Sequence, residues 1–174
     1  CGHDARRGEH EVAVAGLLVT GFTGVAAAAK KHAPLGYQLM CLQQPEQCKG
    51  GGGSQVAATK DVMATLRRVN LAVNRSIKPR NDGRVDVWDA SASVGDCEDF
   101  VLAKRRQLIR AGLSANALRI AYVKTRSGNG HAVLVVKTAT GEVVLDNLTN
   151  AIRPLSQTGY RLVSMQSADP DRWI

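Results

Sequence analysis

The sequence predicts an α+β domain in which helices come before an antiparallel β-sheet. Two segments before residue 112 repeat apolar residues at every third or fourth position, which is typical of amphipathic helices. Beyond residue 117 the repeat changes to every second position, which is typical of strands. With 174 residues, the chain is long enough for one compact domain. A run of helices followed by a run of strands indicates the α+β class.

The first predicted helix lies between Val56 and Ile77, where Leu66, Val69 and Val73 fall on one face. Its other face is polar and basic, so we expect it to pack on the domain through the apolar face alone.

The second predicted helix begins after Asp96, a good N-cap residue, and ends at Gly112. Asp99 stands where the acid of a capping box would lie. Basic residues of this helix are predicted to form a solvent-exposed face: Lys104, Arg105, Arg106 and Arg110.

Four strands are predicted from the alternation of apolar residues that follows. A turn at Thr138–Gly141 makes the second and third of them an antiparallel hairpin. The predicted strands are Leu118–Val123, Ala132–Val136, Val143–Leu148 and Arg161–Met165.

The amino-terminal segment has the organisation of a secretory signal peptide. Arg6 and Arg7 precede a long uncharged apolar stretch, and the alanines from Ala27 onward offer a cleavage site. The first residue, Cys1, and the acids that follow it do not fit, so a misassigned leader is one alternative and a buried helix is another. We expect residues 1–29 to be a signal peptide or misassigned leader, and the mature protein to be exported to the periplasm.

Cys41 and Cys48 are close enough in sequence to form a disulfide in an oxidising compartment, which agrees with export. A metal site is the alternative, but no third or fourth ligand of suitable type lies nearby. The glycines at 50–53 predict a flexible break. We therefore expect residues 30–54 to form a cysteine loop and linker, and residues 55–174 to form the main domain.

The charge balance favours an anionic partner. The chain has 23 Lys and Arg against 15 Asp and Glu, a formal net charge of +8. Aromatic residues make up only 4% of the chain and do not interleave with a basic run, which disfavours stacking on bases. We expect no nucleic-acid partner and, after removal of the leader, no stable membrane insertion.

Cys97 is a candidate nucleophile because it lies in the first turn of the second predicted helix. Backbone N–H groups and the helix dipole at this end stabilise a thiolate, which is the nucleophilic form. The neighbouring acids, Asp96, Glu98 and Asp99, raise the pKa of a thiol unless a cation neutralises them. A small buried cysteine on a helix is the simpler alternative.

His131 and Asp146 are expected to meet at the same end of the predicted hairpin. Counting back from the turn places residue 131 roughly opposite 146–148. An aspartate beside a histidine orients the imidazole and stabilises its charged form. An ordinary strand-end histidine and a turn-forming aspartate are the alternatives. The combination of Cys97, His131 and Asp146 on these elements indicates nucleophilic catalysis.

Three motifs resemble those of the bacterial transglutaminase-like cysteine proteinases. They are GDCEDF at Gly95–Phe100, GHAVLVV at Gly130–Val136 and VVLDN at Val143–Asn147. The resemblance runs from about residue 34 to residue 174 and includes LRRVNLAVN at Leu66–Asn74. It extends to members related to the adhesin-releasing proteases of biofilm control.

The resemblance implies a papain-like, transglutaminase-like core at residues 55–174, with N-terminal helices followed by an antiparallel β-sheet. It implies a periplasmic cysteine endopeptidase that acts through an acyl-enzyme. Cys97 would be the nucleophile, His131 the general base and acid, and Asp146 the residue that orients His131.

The resemblance also implies calcium as a cofactor, because the adhesin-releasing members depend on it. The matching ligand positions are Asp96 and Glu98, with Asp99 as a third, and carboxylate oxygens suit this hard cation. The implied partner is a protein substrate, which in that branch is a surface adhesin. Regulation by a membrane receptor, known in the same branch, is not carried over to this sequence.

Two other functions are compatible with the same residues. One is acyl transfer to an amine, or amide hydrolysis, on cell-envelope material, because only the acceptor of the acyl group differs. The other is a binding module with an idle triad, whose basic surface binds an acidic protein or a lipid headgroup.

Overall fold

The helix at Cys97–Arg110 packs against one face of a five-stranded antiparallel sheet in this computed structural model, which describes residues 31–81 and 87–174. The predicted leader at residues 1–29 lies outside the described residues. The helices are α1 (Leu35–Gln43), α2 (Lys60–Ser76) and α3 (Cys97–Arg110), and the strands are β1 (Lys78–Pro79), β2 (Val94–Gly95), β3 (Leu118–Lys124), β4 (Gly130–Thr138), β5 (Gly141–Leu145), β6 (Arg153–Pro154) and β7 (Arg161–Met165).

The large sheet has the strand order β6-β5-β4-β3-β7, and β1 and β2 form a separate parallel pair before α3. Strands β4 and β5 form the predicted hairpin, in which Leu134 pairs with Leu145. The predicted α+β class is therefore confirmed. None of the helices in the described ranges is both long and apolar enough to cross a bilayer.

Strand β5 ends earlier than predicted. The sequence predicts a strand that reaches Leu148, whereas β5 stops at Leu145. The Asp146 carboxylate accepts a hydrogen bond from the Leu148 N–H at 3.0 Å. An aspartate that binds a backbone N–H two residues later forms a turn, so the chain leaves the sheet at Asp146.

Helix α2 begins four residues later than predicted. Thr59 caps it, with Oγ1 accepting a hydrogen bond from the Val62 N–H at 3.2 Å. Val56 lies outside the helix and bridges to Thr138 at the end of β4. An apolar residue just before a helix can thus belong to the sheet, which periodicity alone does not reveal.

The two faces of the sheet carry separate apolar clusters. The larger cluster joins the sheet to all three helices and includes Leu66, Phe100 and Leu134. The smaller one, on the opposite face, includes Val133 and Val135. Because β4 is central and covered on both faces, its residues are apolar in succession rather than alternating with polar ones.

The predicted solvent-exposed face of α3 is wrong for Lys104 and Arg105. Their exposed fractions are 0% and 1%, whereas Arg110 at the end of the helix is exposed. Helix α3 packs against both α2 and β4, so little of its circumference meets solvent. Basic residues in a helix predict an exposed face only when the helix has a single packing partner.

Arg105 fastens the cysteine loop to α3. Its guanidinium donates to the carbonyl oxygens of Gln47 at 2.5 Å and Leu118 at 3.2 Å. The predicted disulfide between Cys41 and Cys48 is confirmed and closes the same loop. One side chain thus joins the loop, the helix and the start of β3.

The glycine-rich stretch, predicted to be a flexible break, is hydrogen-bonded to the turn before β3. The Gly51 N–H donates to Oδ1 of Asn116 at 2.8 Å, and the Asn116 amide donates to the Gly52 carbonyl at 2.9 Å. Ser114 Oγ donates to the Gly51 carbonyl at 2.8 Å. The side chains that hold this stretch lie more than 60 residues away, so the local sequence does not predict the contact.

Removing the disulfide by the double change Cys41→Ser and Cys48→Ser is expected to lower the free energy of unfolding by about 2–3 kcal/mol, because the unfolded chain gains loop entropy. Urea unfolding of the oxidised proteins measures it. Leu42→Ser, at a position 81% exposed, is the matched control and should unfold like the wild type. Equal stability of the double variant would contradict the prediction.

Candidate active site

The first turn of α3 is fixed by a capping box. The Asp96 carboxylate accepts a hydrogen bond from the Glu98 N–H at 3.3 Å, and the Asp99 carboxylate accepts one from the Asp96 N–H at 3.1 Å. Reciprocal bonds of this kind satisfy N–H groups that have no partner within a helix. They make Cys97 the first residue of α3, as predicted.

Asp99 also explains the glycine that precedes the cap. A Cβ at Gly95 would lie 1.9 Å from Oδ2 of Asp99, so no larger residue fits there without displacing that carboxylate. The other oxygen, Oδ1, accepts a hydrogen bond from the Asp89 N–H at 2.8 Å. Asp99 thus connects the start of α3 to the segment that carries Trp88.

Trp88 is a core residue. It is 2% exposed, its ring stacks on Tyr122 with centroids 6.4 Å apart, and it meets Tyr37 edge-on at 5.8 Å. The sequence leaves open whether Trp88 anchors its loop in the core or lines a substrate groove. Because the Trp88 side chain is buried, it anchors its loop in the core.

The sulfur of Cys97 lies between α3 and the start of β4. The Ala132 N–H is 3.2 Å from Sγ, and Oε2 of Glu98 is 3.0 Å from it. Cys97 is buried in the cluster that joins the helices to the sheet. Because Ala132 follows His131 directly, the same contact brings the histidine backbone to the sulfur.

His131 and Asp146 meet as the sequence predicts. Nε2 of His131 is 2.8 Å from Oδ1 of Asp146, and both side chains are buried. With Nε2 directed to the carboxylate, Nδ1 is the ring nitrogen left for other partners. The contact forms because β4 begins just before His131 and the chain leaves β5 at Asp146.

Tyr160 is a further member of this group that the motif-based prediction does not assign. Its hydroxyl donates to Oδ2 of Asp146 at 2.6 Å, and its ring meets His131 edge-on at 5.7 Å. Burial raises the pKa of Asp146, but hydrogen bonds from His131, Tyr160 and the Leu148 N–H outweigh it and hold that pKa below its usual value. Burial and the Asp146 contact raise the pKa of Tyr160, so the phenol stays protonated.

Glu98 has the opposite electrostatics. Burial, followed by its hydrogen bond with the Asp96 carboxyl, raises the pKa of Glu98 to about 8. Its Oε1 accepts a hydrogen bond from the Tyr122 hydroxyl, a partner on β3 that the sequence does not single out. Two buried carboxyl groups in contact cannot both ionise without a compensating charge.

Asp96, Cys97 and Glu98 are near enough to hold one cation. Their side-chain ligand atoms all lie within 4.8 Å of one another. The carboxylate oxygens of Asp96 and Glu98 are hard donors that suit calcium, and a cation would remove the conflict between their charges. The group within this distance does not include Asp99, the third predicted ligand, whose two oxygens accept backbone N–H groups.

A cleft of about 480 Å³ adjoins His131. It is open to solvent along the turn between β3 and β4, and none of its lining residues within the described part of the chain carries a carboxylate. Leu148 on its wall is exposed, and Arg126 adds a positive charge. The lining residues are Thr125, Arg126, Ser127, Asn129, Gly130, His131, Leu148, Thr158 and Tyr160.

Solved structures with a similar fold include three forms of Legionella pneumophila LapG. The calcium-bound form is 26% identical with a TM-score of 0.57, over 62% of this chain and 66% of that chain. A second LapG structure is 25% identical with a TM-score of 0.55, over 65% and 68% of the two chains. The EGTA-treated form is 26% identical with a TM-score of 0.55, over 62% and 64%. The chain thus spans about two-thirds of the LapG chains it matches.

No curated protein matches this chain. The family model for the bacterial transglutaminase-like cysteine proteinases matches residues 27–174, which is most of the chain. That match includes the capped start of α3, the hairpin of β4 and β5, and the carboxyl-terminal strand. By this match, and with the fold it shares with LapG, the chain belongs to the bacterial transglutaminase-like cysteine proteinase family.

Proposed function

We propose that this chain is an exported cysteine endopeptidase in which Cys97 attacks a peptide carbonyl, His131 exchanges protons and Asp146 orients His131. One observation carries the proposal. The His131–Asp146 contact of 2.8 Å lies beside the Cys97 sulfur, which is 3.2 Å from the N–H of the residue after His131. This is the order of nucleophile, base and orienting acid that acyl transfer requires.

In the first half of the reaction, the Cys97 thiol gives its proton to Nδ1 of His131 and the thiolate attacks the scissile carbonyl carbon. The backbone N–H of Cys97, at the start of α3, is a donor for the oxyanion that forms. The imidazolium then protonates the leaving amine as the peptide C–N bond breaks. A thioester with Cys97 remains, and the amine product leaves.

In the second half, water attacks the thioester. His131 takes a proton from the water as it adds to the carbonyl carbon, and then returns the proton to the Cys97 sulfur as the C–S bond breaks. The carboxylic acid product leaves and the thiol is restored. Asp146 stays ionised throughout and stabilises the imidazolium in both halves.

The surroundings of the sulfur determine whether a thiolate forms. The Ala132 N–H and the start of α3 favour the thiolate, whereas an ionised Glu98 carboxylate 3.0 Å from Sγ opposes it. The raised pKa of Glu98 limits this opposition at neutral pH, since the group then keeps its proton. A cation on the carboxylate has the same effect and leaves the site with less negative charge.

We assign Asp96 and Glu98 as the residues that would hold calcium. The calcium-bound and EGTA-treated forms of LapG support the choice of ion. The bound ion would supply positive charge beside the sulfur and fix the two carboxylates in place. Asp99 has a different role, which is to cap α3 and hold the Asp89 backbone.

The cleft beside His131 is the proposed site for the part of the substrate that leaves with the amine. It is open to solvent, which suits an extended polypeptide. Its described lining residues include Arg126 and no carboxylate, which favours an acidic or neutral segment. A protein exposed at the cell envelope, such as an adhesin, is the substrate class that follows from the proposed export.

Changing the nucleophile or its base tests the proposal most directly. Cys97→Ala and His131→Ala are each expected to lower peptide cleavage by at least about 10³-fold, since each removes an essential step. Reduced protein is incubated with a proteome-derived peptide library, and new termini are counted by mass spectrometry. The exposed His32 gives the control His32→Ala, which should cleave like the wild type.

Cleavage by Cys97→Ala at the wild-type rate would refute the proposal. Formation of a new amide with an added amine would identify a transferase instead. A wild-type protein without any cleavage activity would favour the binding module over an enzyme.

Tyr160→Phe is expected to lower kcat/KM roughly 10-fold, mainly through kcat, because a hydrogen bond to the charged Asp146 is lost. That bond depresses the pKa of Asp146, so the support from the ionised carboxylate is lost only as pH falls through the depressed value. Without the bond the pKa rises, and the acid limb of the pH–rate profile should move to higher pH. Tyr37→Phe, whose hydroxyl binds Gln166 instead, is the control and should keep the wild-type profile.

Calcium is expected to raise the unfolding temperature, and EGTA to reverse the increase. At about 100 times its dissociation constant, the ion stabilises the folded protein by about 2.7 kcal/mol. Glu98→Gln should abolish the increment. Asp99→Asn should lower the unfolding temperature through the lost cap yet keep the increment. Thermal unfolding with and without calcium measures both, and an undiminished increment in Glu98→Gln would contradict the assignment.

A further inference from the structure

Lys104 is a buried amine whose presence in the core needs a reason. It lies on α3 seven residues after Cys97, has an exposed fraction of 0%, and its Nζ is 5.8 Å from the centre of the Phe100 ring. Within residues 31–81 and 87–174, Nζ has no hydrogen-bond partner. A lysine is almost never buried in this way unless it is paired, because desolvation of the amine is costly.

The Asp146 carboxylate attracts this buried amine. Burial lowers the pKa of Lys104 to about 7, and attraction to Asp146 partly offsets the shift. The lysine is therefore electrostatically linked to the residue that binds His131, although it lies on a different element from either of them.

Three amide oxygens of residues that contact or adjoin the turn at Asp146 are also unsatisfied, and two of these residues lie on α2, which packs against α3. Oδ1 of Asn70, Asn74 and Asn147 has no partner among the described residues. The Asn74 amide donates to the Asp146 carbonyl at 2.9 Å, and the Asn70 amide donates to the carbonyls of Thr149 and Asn150 at 3.3 Å. The amides of Asn70 and Asn74 therefore already hold the turn that carries Asp146, while their oxygens are unused.

We propose that Lys104 is a positioning residue for the His131–Asp146 pair, and that its amine is joined through ordered water to the amide oxygens of Asn70, Asn74 and Asn147. An ammonium has three donors and no acceptor, and the three amide oxygens are acceptors, so the two sets are complementary. A buried water typically makes about three hydrogen bonds to groups of this kind. The network would restrain the turn after β5, so that Oδ1 of Asp146 stays directed at Nε2 of His131.

Arg105 provides the contrast that isolates this role. It is the next residue on α3 and is equally buried, but its guanidinium binds carbonyl groups of the cysteine loop and of Leu118. Two successive buried cations on one helix thus bind different parts of the chain. Arg105 holds the amino-terminal loop, and Lys104 holds the turn that carries Asp146.

The proposal rests on the proposed peptidase function, but its main test does not need activity. The proton shared by Nε2 of His131 and Asp146 is expected to give a downfield proton NMR resonance in histidine-labelled protein. Lys104→Met keeps the apolar stem and removes the amine, and Arg105→Met is the matched control. The second readout is the rate at which iodoacetamide alkylates Cys97 after reduction, followed by peptide mass spectrometry.

Lys104→Met is expected to lose or broaden the downfield resonance and to slow Cys97 alkylation at least 10-fold. Arg105→Met is expected to unfold at a lower temperature yet keep both signals at temperatures well below its transition. Lys104→Arg, which retains donors and charge, is expected to recover part of the resonance. A folded Lys104→Met with the wild-type resonance would overturn the proposal and leave Lys104 a packing residue.

If Lys104→Met does not fold, Lys104→Gln is measured in the same way, and a wild-type resonance there overturns the proposal too. Slow alkylation in the wild type, with a resonance that still depends on Lys104, would remove the peptidase function but keep the positioning role. Fast alkylation in the wild type that Lys104→Met leaves unchanged would support the peptidase function but contradict the positioning role of Lys104.

Discussion

The carboxylate of Asp99 is the constraint on which the site depends. One of its oxygens closes the capping box with the Asp96 N–H, and the other holds the Asp89 N–H. The start of α3 and the segment before it are therefore fixed to one group. Because that group occupies the space of a Cβ, the position before the cap is Gly95. The glycine before the cap thus follows from the packing of a single side chain.

The two carboxylates nearest the proposed reaction differ because their hydrogen bonds differ. Both are buried, which raises the pKa of each. Asp146 receives donors from His131, Tyr160 and a backbone N–H, so it remains charged. Glu98 lies against another carboxyl group and keeps its proton to higher pH. One acid can therefore support an imidazolium, while the other calls for a cation or a proton beside the sulfur.

Such a site is costly to the fold, since acids and a histidine are taken out of water near one sulfur, and a lysine is buried on the same helix. The apolar clusters on both faces of the sheet offset this cost, and the tie made by Arg105 adds the cysteine loop to the same core. The residues that restrain the site lie on elements distant in the chain. Changes far from the cleft would therefore act on the proposed reaction through the turn after β5 or the start of α3.

The sequence by itself determined the α+β class, the cap at Asp96, the hairpin, the disulfide, and the meeting of His131 with Asp146, because each depends on local spacing or on one turn. Only the tertiary structure decided which polar groups are buried. It placed Lys104 and Arg105 in the core, brought the Tyr160 hydroxyl to Asp146, and gave the Asp99 carboxylate a second partner in the Asp89 N–H. These outcomes depend on which residues pack around a side chain. The periodicity of a sequence predicts only the helix or strand on which that side chain lies.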